Sequence, residues 1–397
     1  MSLILTVNGG SSSLKCALFA RNASKAECLY QFKLGNILNT PVMKVLSSDG
    51  KTLEQSEPDM AALATENRHQ ACLDLVIQWV RKQLPDSQIC AFGHRVVHGG
   101  EAFSEPVVIT KKIMQALEEL IPLAPLHQPY NLKLIRACQQ LEPQLPQIAC
   151  FDTMFHIGQP KVERHYAIPR KYTEAGVHKY GFHGLSYEYI QRTLEQIGHG
   201  AESDKTIICH LGAGASMCAV NKGKSIASSM GFTAVDGLPM GSRTGNIDPG
   251  VLLYLQRHYK MDTDQLENFL YKESGWLGVS GISSDMMELE RSDKPEAKEA
   301  IAMFAYRAAL EIGRLSAALQ GLDQLVFTGG VGENDDSLRK RICDQLEWLG
   351  VRLNKSANKE GEAIINKASA KVVVRVIPTN EEAMIALHAG EVLAGGG

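Results

Sequence analysis

Seven short apolar runs, LILTV, QICAFGHRVV, PQIACF, TIICHL, ASMCAV, QLVFT and KVVVRVI, alternate along the chain with stretches whose apolar residues recur at helical spacing. Met60 to Leu84, Lys111 to Ile121 and Asp335 to Leu349 are among the helical stretches. Strands alternating with helices must bury their sheet faces beneath those helices, so α/β layers are expected. The clearest helix is predicted from Pro295 to Gln320. There Ile301, Phe304, Ala308, Ile312, Leu315 and Leu319 share one face, and Gly321 is placed to end it.

The first strand pair is echoed later in the chain. Laying LTVNGGSSSLKCAL on IICHLGAGASMCAV sets Gly10 on Gly212 and Cys16 on Cys218, and each stretch reads as strand, small-residue turn, strand. The shift is about half the chain. Chance is one source of such a match; the other is a duplicated α/β domain, which would give this offset with one phosphate-facing hairpin from each half and ligand in the cleft between them.

Composition narrows the function classes. With 44% hydrophobic and 21% charged residues in 397, the chain is expected to form two or three globular domains, and a net charge of −3 with no Lys/Arg run argues against nucleic-acid binding. Nine cysteines without a C-x-x-C, and an opening that runs straight into a strand, lead to the expectation of reduced, mostly buried thiols in a cytoplasmic protein. The apolar runs are too short to cross a bilayer.

The turn in LTVNGGSSSLKCALF holds two glycines and three serines, more than a hairpin needs. It is not a P-loop, because no G-x-x-x-x-G-K-[ST] occurs and a strand follows. Bare backbone amides with Ser11 and Ser13 suit a phosphate, Lys15 adds charge, and Asn8 offers an oxygen to hydrated Mg²⁺. A plain polar turn is the alternative. FTGGVGEN reads as a glycine-rich turn between a strand and a helix. Arg95 in GHRVVHGG and Arg243 in MGSRTGNIDPG stand among small residues that leave their stems uncovered, which favours an anionic partner. His94 and His98 have H-x-x-x-H spacing on a strand-like segment, where they share no helical face, so zinc is not expected. His127, Asp152 with His156, and His183 lie in short turns, each open to a structural or a catalytic role. Asp152 at a strand end is positioned to reach a metal, as are Glu381 and Glu382 after VVVRVI.

In order along the chain, NGGSSSLK, GHRVVHGG, APLH, FDTMFH, YGFHGLS, HLGAG, GSRTGNIDP, FTGGVGEN and PTNEE closely resemble the acetate kinase (acetokinase) family, and the resemblance spans essentially the whole chain. It implies a duplicated actin-like (ribonuclease H-like) α/β fold: two domains with mixed β-sheets flanked by helices and a central cleft. Residues 1–150 plus 383–397 would form the N-terminal domain, and 151–382 the C-terminal domain with the nucleotide site. The resemblance also implies ATP as co-substrate, Mg²⁺ or Mn²⁺, acetate or a similar short carboxylate as acceptor, a cytoplasmic homodimer, and no nucleic-acid or membrane partner.

Carried over by position, the resemblance makes Arg95, Asp152, His183 and Arg243 the catalytic group, and makes Asn8 and Glu381 the Mg²⁺ contacts by way of water. Ser11, Ser13, Lys15, His127, His210, Gly212, Gly214, Asp285, Gly330 and Asn334 would meet the nucleotide and its phosphates. Val97, Leu126 and Phe182 would surround the methyl of acetate beside Arg95. The implied reaction is reversible, Mg-dependent transfer of the γ-phosphoryl group of ATP to acetate by direct in-line attack. A propionate (short-chain fatty acid) kinase and a weakened actin-like ATP-binding relative are the alternatives. Four positions depart from the family pattern: Ala213 for Asn, Met287 for Arg, Asn246 for Asp and Ala234 for Pro.

Overall fold

Residues 1–10, 12–21, 26–198 and 205–395 are described by the structure, a computed structural model. The chain divides into two units, Met1–Met154 with Asn380–Gly397, and Phe155–Thr379. The first unit is built on eight strands, β1 (Ser2–Gly9), β2 (Leu14–Ala20), β3 (Glu27–Gly35), β4 (Val42–Ser47), β5 (Thr52–Ser56), β6 (Gln88–Val96), β7 (Val107–Val108) and β8 (Gln147–Phe151). Their order is β5-β4-β3-β2-β1-β6-β8-β7.

β1 is central, and its run LILTV is buried on both faces. Leu3, Leu5 and Val7 share a core with Cys72, Leu73 and Val76 of the helix Arg68–Gln83 and with Leu134 and Cys138 of the helix Gln128–Leu141. Thr6 alternates to the other face, and so does its parallel partner Gly93. A side chain at Gly93 would meet Ile385 at 2.6 Å, so this face is covered by the C-terminal helix Glu381–Gly395.

The second unit has a five-stranded sheet of β9 (Thr206–Leu211), β10 (Ala215–Asn221), β11 (Lys224–Ser228), β12 (Gln324–Thr328) and β13 (Val373–Val376), in the order β11-β10-β9-β12-β13. Two antiparallel pairings followed by two parallel ones repeat the path β3-β2-β1-β6-β8 of the first sheet. The registers differ by one residue: Asn8 faces Lys15 in the first hairpin, whereas its counterpart His210 faces Ser216 in the second, one position short of Met217, the counterpart of Lys15. The echo in the sequence is therefore a repeat of topology. The long helix Pro295–Leu319 packs on β10 and β11, burying Ile301, Phe304, Ala308, Ile312, Leu315 and Leu319.

Several elements differ from the sequence reading. The first long helix begins at Arg68, because residues 61–67 are exposed and have no core to join. Gln320, not Gly321, takes the left-handed position that ends Pro295–Leu319, at φ 57°, with its N–H on Ala317 O. FTGGVGEN is no turn before a helix. Gly329–Asn334 is itself a short helix leaving β12, and Gly329 sits at φ +78° with Leu211 O 2.7 Å from where a Cβ would lie. All nine cysteines are free thiols, and all but Cys28 and Cys90 are buried. Among the described residues no helix is long and apolar enough to cross a membrane.

Candidate active site

In the first unit, the hairpin of β1 and β2 and the C-terminal end of β6 open onto a cavity of about 330 Å³. Asn8, Gly9, Gly10, Ser12, Ser13, Lys15, Arg95, Val97, Leu126, His127, Tyr130 and Glu381 line it. Ser11 lies outside the described residues. The turn is closed by Gly10 N–H donating to Ser13 O at 2.9 Å.

Arg95 is the electrostatic centre of this cavity. Its Nε donates to Asp152 Oδ1 at 3.0 Å and its Nη2 to Asp152 Oδ2 at 2.6 Å, a bidentate pair in which Asp152 is 1% exposed and Arg95 22%. Nη1 donates to Asn8 Oδ1 at 3.3 Å, and Asn8 Nδ2 in turn donates to Glu382 Oε1 at 3.2 Å. Burial opposes the charge on Arg95, but Asp152, Glu381 and Glu382 more than offset it, so its pKa lies above the ordinary arginine value. Burial raises the Glu381 carboxyl, with Glu382 acting in the same sense and Arg95 and Lys15 pulling it back down.

The strand exit that carries Val97 is held by two side chains that sequence reasoning missed. Asn131 Oδ1 accepts from Val97 N–H at 3.0 Å, and Gln128 Oε1 accepts from His98 N–H at 3.3 Å while its Nε2 donates to His98 O at 3.1 Å. Both are buried on the helix Gln128–Leu141, one turn apart in QPYN, and that spacing on one helix face is the only signal the sequence holds for them. His94, buried, bonds the side-chain amide of Gln147 at 2.8 Å.

In the second unit, His183 precedes the helix Gly184–Gln196 in the left-handed region, φ 56°, a conformation a histidine adopts only at some cost. Its ring stacks on His210 at 4.3 Å between centroids, and Nδ1 lies 2.8 Å from Ser216 Oγ. Gly214 is beside the same ring, close enough that a Cβ there would lie 3.7 Å from it. His156 holds the preceding turn: Nε2–H donates to Phe182 O at 2.9 Å and Nδ1 accepts from Ser225 Oγ at 2.8 Å. Phe182 itself is buried.

A further chain of bonds, also missed in the sequence, starts at His210. Ser186 Oγ bridges His210 Nδ1 and Thr379 Oγ1, each at 2.8 Å. Glu333 then accepts from the N–H groups of Thr379 at 3.0 Å and Gly329 at 2.8 Å. The glycine-rich helix, with Asn334 Nδ2 on Gly330 O at 2.8 Å, is thereby tied to the strand-exit segment after β13. Arg243 Nη1 donates to Ala234 O at 3.0 Å, in the loop that Gly241 N–H joins to Ala213 O at 3.1 Å. Asn246 Oδ1 accepts from Gly237 N–H at 2.9 Å, a bond an aspartate makes equally well, which accounts for that departure. Asp285 is exposed and caps the helix Met286–Glu290 through Met287 N–H at 2.9 Å. Gly212, the counterpart of Gly10, opens the turn between β9 and β10.

A larger cavity, about 520 Å³, lies in the second unit beside Asn246, Phe269 and Arg307. There the buried Glu311 accepts from Arg314 Nε with both carboxylate oxygens, each at 3.1 Å. The smaller cavity of the first unit is lined by two cations, Lys15 and Arg95, together with Ser12, Ser13 and the main chain of Gly9 and Gly10.

Two like-wound mixed sheets, with small-residue hairpins and a cationic, amide-lined cavity, define an actin-like α/β protein equipped for a phosphorylated ligand. The profile of the acetokinase family matches residues 3–387. An acetate kinase of Rhodopseudomonas palustris is 46% identical over 399 residues, covering 99% of each chain. Among solved structures, Porphyromonas gingivalis acetate kinase superposes with a TM-score of 0.87 at 36% identity over 99% of this chain and 100% of that one. A propionate kinase of Francisella tularensis gives 0.89 at 36% identity, over 98% of this chain and 99% of that one. The chain belongs to the acetokinase family.

Proposed function

We propose that this chain is an acetate kinase, transferring the γ-phosphoryl group of ATP reversibly to acetate to give acetyl phosphate and ADP. The observation that carries this reading is Arg95, clamped by Asp152 and opening onto a cavity that also holds the Ser13 and Lys15 hairpin and the apolar Val97 and Leu126. A short carboxylate fits this arrangement, its oxygens on Arg95 and its methyl against Val97 and Leu126.

Acetate is ionised at neutral pH, since such acids have pKa values of roughly 4, so the nucleophile needs no general base. The barrier is repulsion between two anions. Arg95 lowers it by binding the carboxylate, and Asp152 holds the guanidinium in one orientation rather than taking a proton. Lys15, Ser13 and the hairpin amides hold phosphate oxygens, with His127 at the cavity wall. Transfer spreads charge over three equatorial oxygens, and Arg243 and His183, with His210 behind it, are the groups of the second unit assigned to that charge. Gly212, Gly214, Gly330, Asn334 and Asp285 are assigned to the nucleotide, on similarity to the family. Phe182 is assigned to the acyl pocket on the same ground.

The residues fit a hydrated Mg²⁺, with Mn²⁺ as substitute. No cluster of three or more His, Cys, Asp or Glu suited to a metal exists among the described residues, whereas Glu381 borders the cavity near Asn8, and Mg²⁺ commonly takes one or two carboxylates with the rest of its shell from water and phosphate. Bound there, the ion would neutralise phosphate charge. Glu381 would hold it through water, and Asn8, bonded to both Arg95 and Glu382, would keep the carboxylates and the guanidinium in register.

The protein is further proposed to be a cytoplasmic homodimer, the apolar helix Pro249–Tyr259 supplying contact surface: Leu253 and Tyr254 are 50% and 54% exposed and no residue of that helix is buried. Light scattering tests the dimer. Trapping acyl phosphate as the hydroxamate, with acetate, propionate and butyrate each against ATP, GTP and pyrophosphate, tests the reaction. Inversion at a chiral γ-phosphorus is expected, and retention would exclude direct in-line transfer. Propionate is the second reading, favoured by the similarity to the Francisella tularensis propionate kinase.

A further inference from the structure

Deepening that reading, we propose that His69 is a positioning residue, holding the serine-rich hairpin in its phosphate-accepting shape through a hydrogen bond to the main-chain oxygen of Gly10. His69 is buried on the helix Arg68–Gln83, and its Nε2 lies 3.1 Å from Gly10 O. A carbonyl oxygen only accepts, so Nε2 carries the hydrogen. Nδ1 is then a lone-pair nitrogen, buried with no hydrogen-bond partner among the described residues.

Such an unpartnered nitrogen disfavours the folded state, and a phenyl ring would fill the same space without it. The imidazole is therefore explained by what Nε2 does. Gly10 N–H is already bound to Ser13 O, so with its oxygen held by His69 both polar groups of this residue are fixed, and the turn that follows has a set orientation. Gly10 and Tyr130, whose ring lies 6.4 Å from that of His69, both face the cavity. Burial lowers the pKa of His69, with nearby Lys133 in the same sense and the Gly10 bond opposing, which keeps the ring neutral at pH 7. It donates one hydrogen and brings no charge.

The experiment compares wild type with His69→Phe and His69→Gln in the full chain. Glutamine places an amide N–H where Nε2 stands, and phenylalanine places nothing there. Two readouts are taken: hydrogen exchange of the peptide covering residues 5–19 in the unliganded protein, and KM for ATP and for acetate by hydroxamate formation. His69→Phe is expected to exchange faster in the hairpin and to raise KM for ATP about three- to tenfold, the loss of one hydrogen bond, with KM for acetate unchanged. His69→Gln is expected to restore both. Should His69→Phe fail to fold, His69→Asn, too short to reach Gly10, takes its place against His69→Gln. Unchanged hairpin exchange, an equal rise in both KM values, or failure of His69→Gln to restore either readout would overturn the proposal. A wild type that forms no acyl phosphate would overturn the kinase reading, and the exchange arm would still decide the role of His69.

Discussion

Acidification is expected to destabilise the protein through two histidines that the reaction does not use. His94 and His156 are 1% and 0% exposed, and burial pushes each from 6.5 down to about 4, against partial opposition from their hydrogen bonds to Gln147 and to Phe182 O. Unfolded, each titrates near the ordinary value. Between pH 6.5 and 4 the unfolded chain therefore takes up protons that the folded chain refuses. Stability from these groups is complete above that window and is lost as pH falls through it. Linkage gives a loss of about 2 kcal/mol per histidine between pH 7 and pH 5. Burial raises Asp236, Glu290, Asp335 and Glu381, which act in the opposite sense, so the informative quantity is a difference between variants. Glutamine at position 156 can donate to Phe182 O and accept from Ser225 without titrating. Urea unfolding of wild type and His156→Gln, each at pH 7 and pH 5, should show the variant losing about 2 kcal/mol less on acidification. Equal losses in the two proteins would refute the claim that His156 is held neutral by the fold.

Asp152→Asn should lower kcat/KM about 10²- to 10³-fold while the enzyme still binds ATP, and wild-type activity in steady-state assays would remove its orienting role. Val97→Ala should shift the propionate-to-acetate ratio of kcat/KM about tenfold towards propionate, roughly what one methylene is worth in a pocket. Glu381→Gln should raise the Mg²⁺ concentration needed for half-maximal activity at least about tenfold, and should weaken the Mg²⁺-dependent thermal stabilisation seen with ADP. Ala213→Asn, restoring the common family residue in the exposed turn after Gly212, should raise kcat/KM for ATP, and no gain would mean that the site works fully without that amide.

The α/β class and the repeated hairpin were legible because they are local. Alternating apolar runs, and small residues between two strands, act through nearest-neighbour sterics that any window of the chain displays. β5 was not read, and for the same reason. TLEQS is exposed at every position, so no apolar period marks it, and it becomes a strand only because β4 offers its edge.

The cavity divides in the same way. Gly10, Ser13, Lys15 and Arg95 announce themselves by type and setting, as does a carboxylate at a strand end. That Asp152 clamps Arg95 across 57 positions, that Asn131 holds Val97 across 34, and that Glu333 grips Thr379 across 46 are decisions of the tertiary structure. Each is a hydrogen bond to a group whose position depends on which strands pair and which helix covers them. A single side chain carries no periodic trace of a distant partner. Residue types and short spacings thus determined the kind of layers and the anion-accepting turn, whereas strand order and helix packing decided which polar groups hold that turn in shape, because only the closed fold brings them within bonding distance.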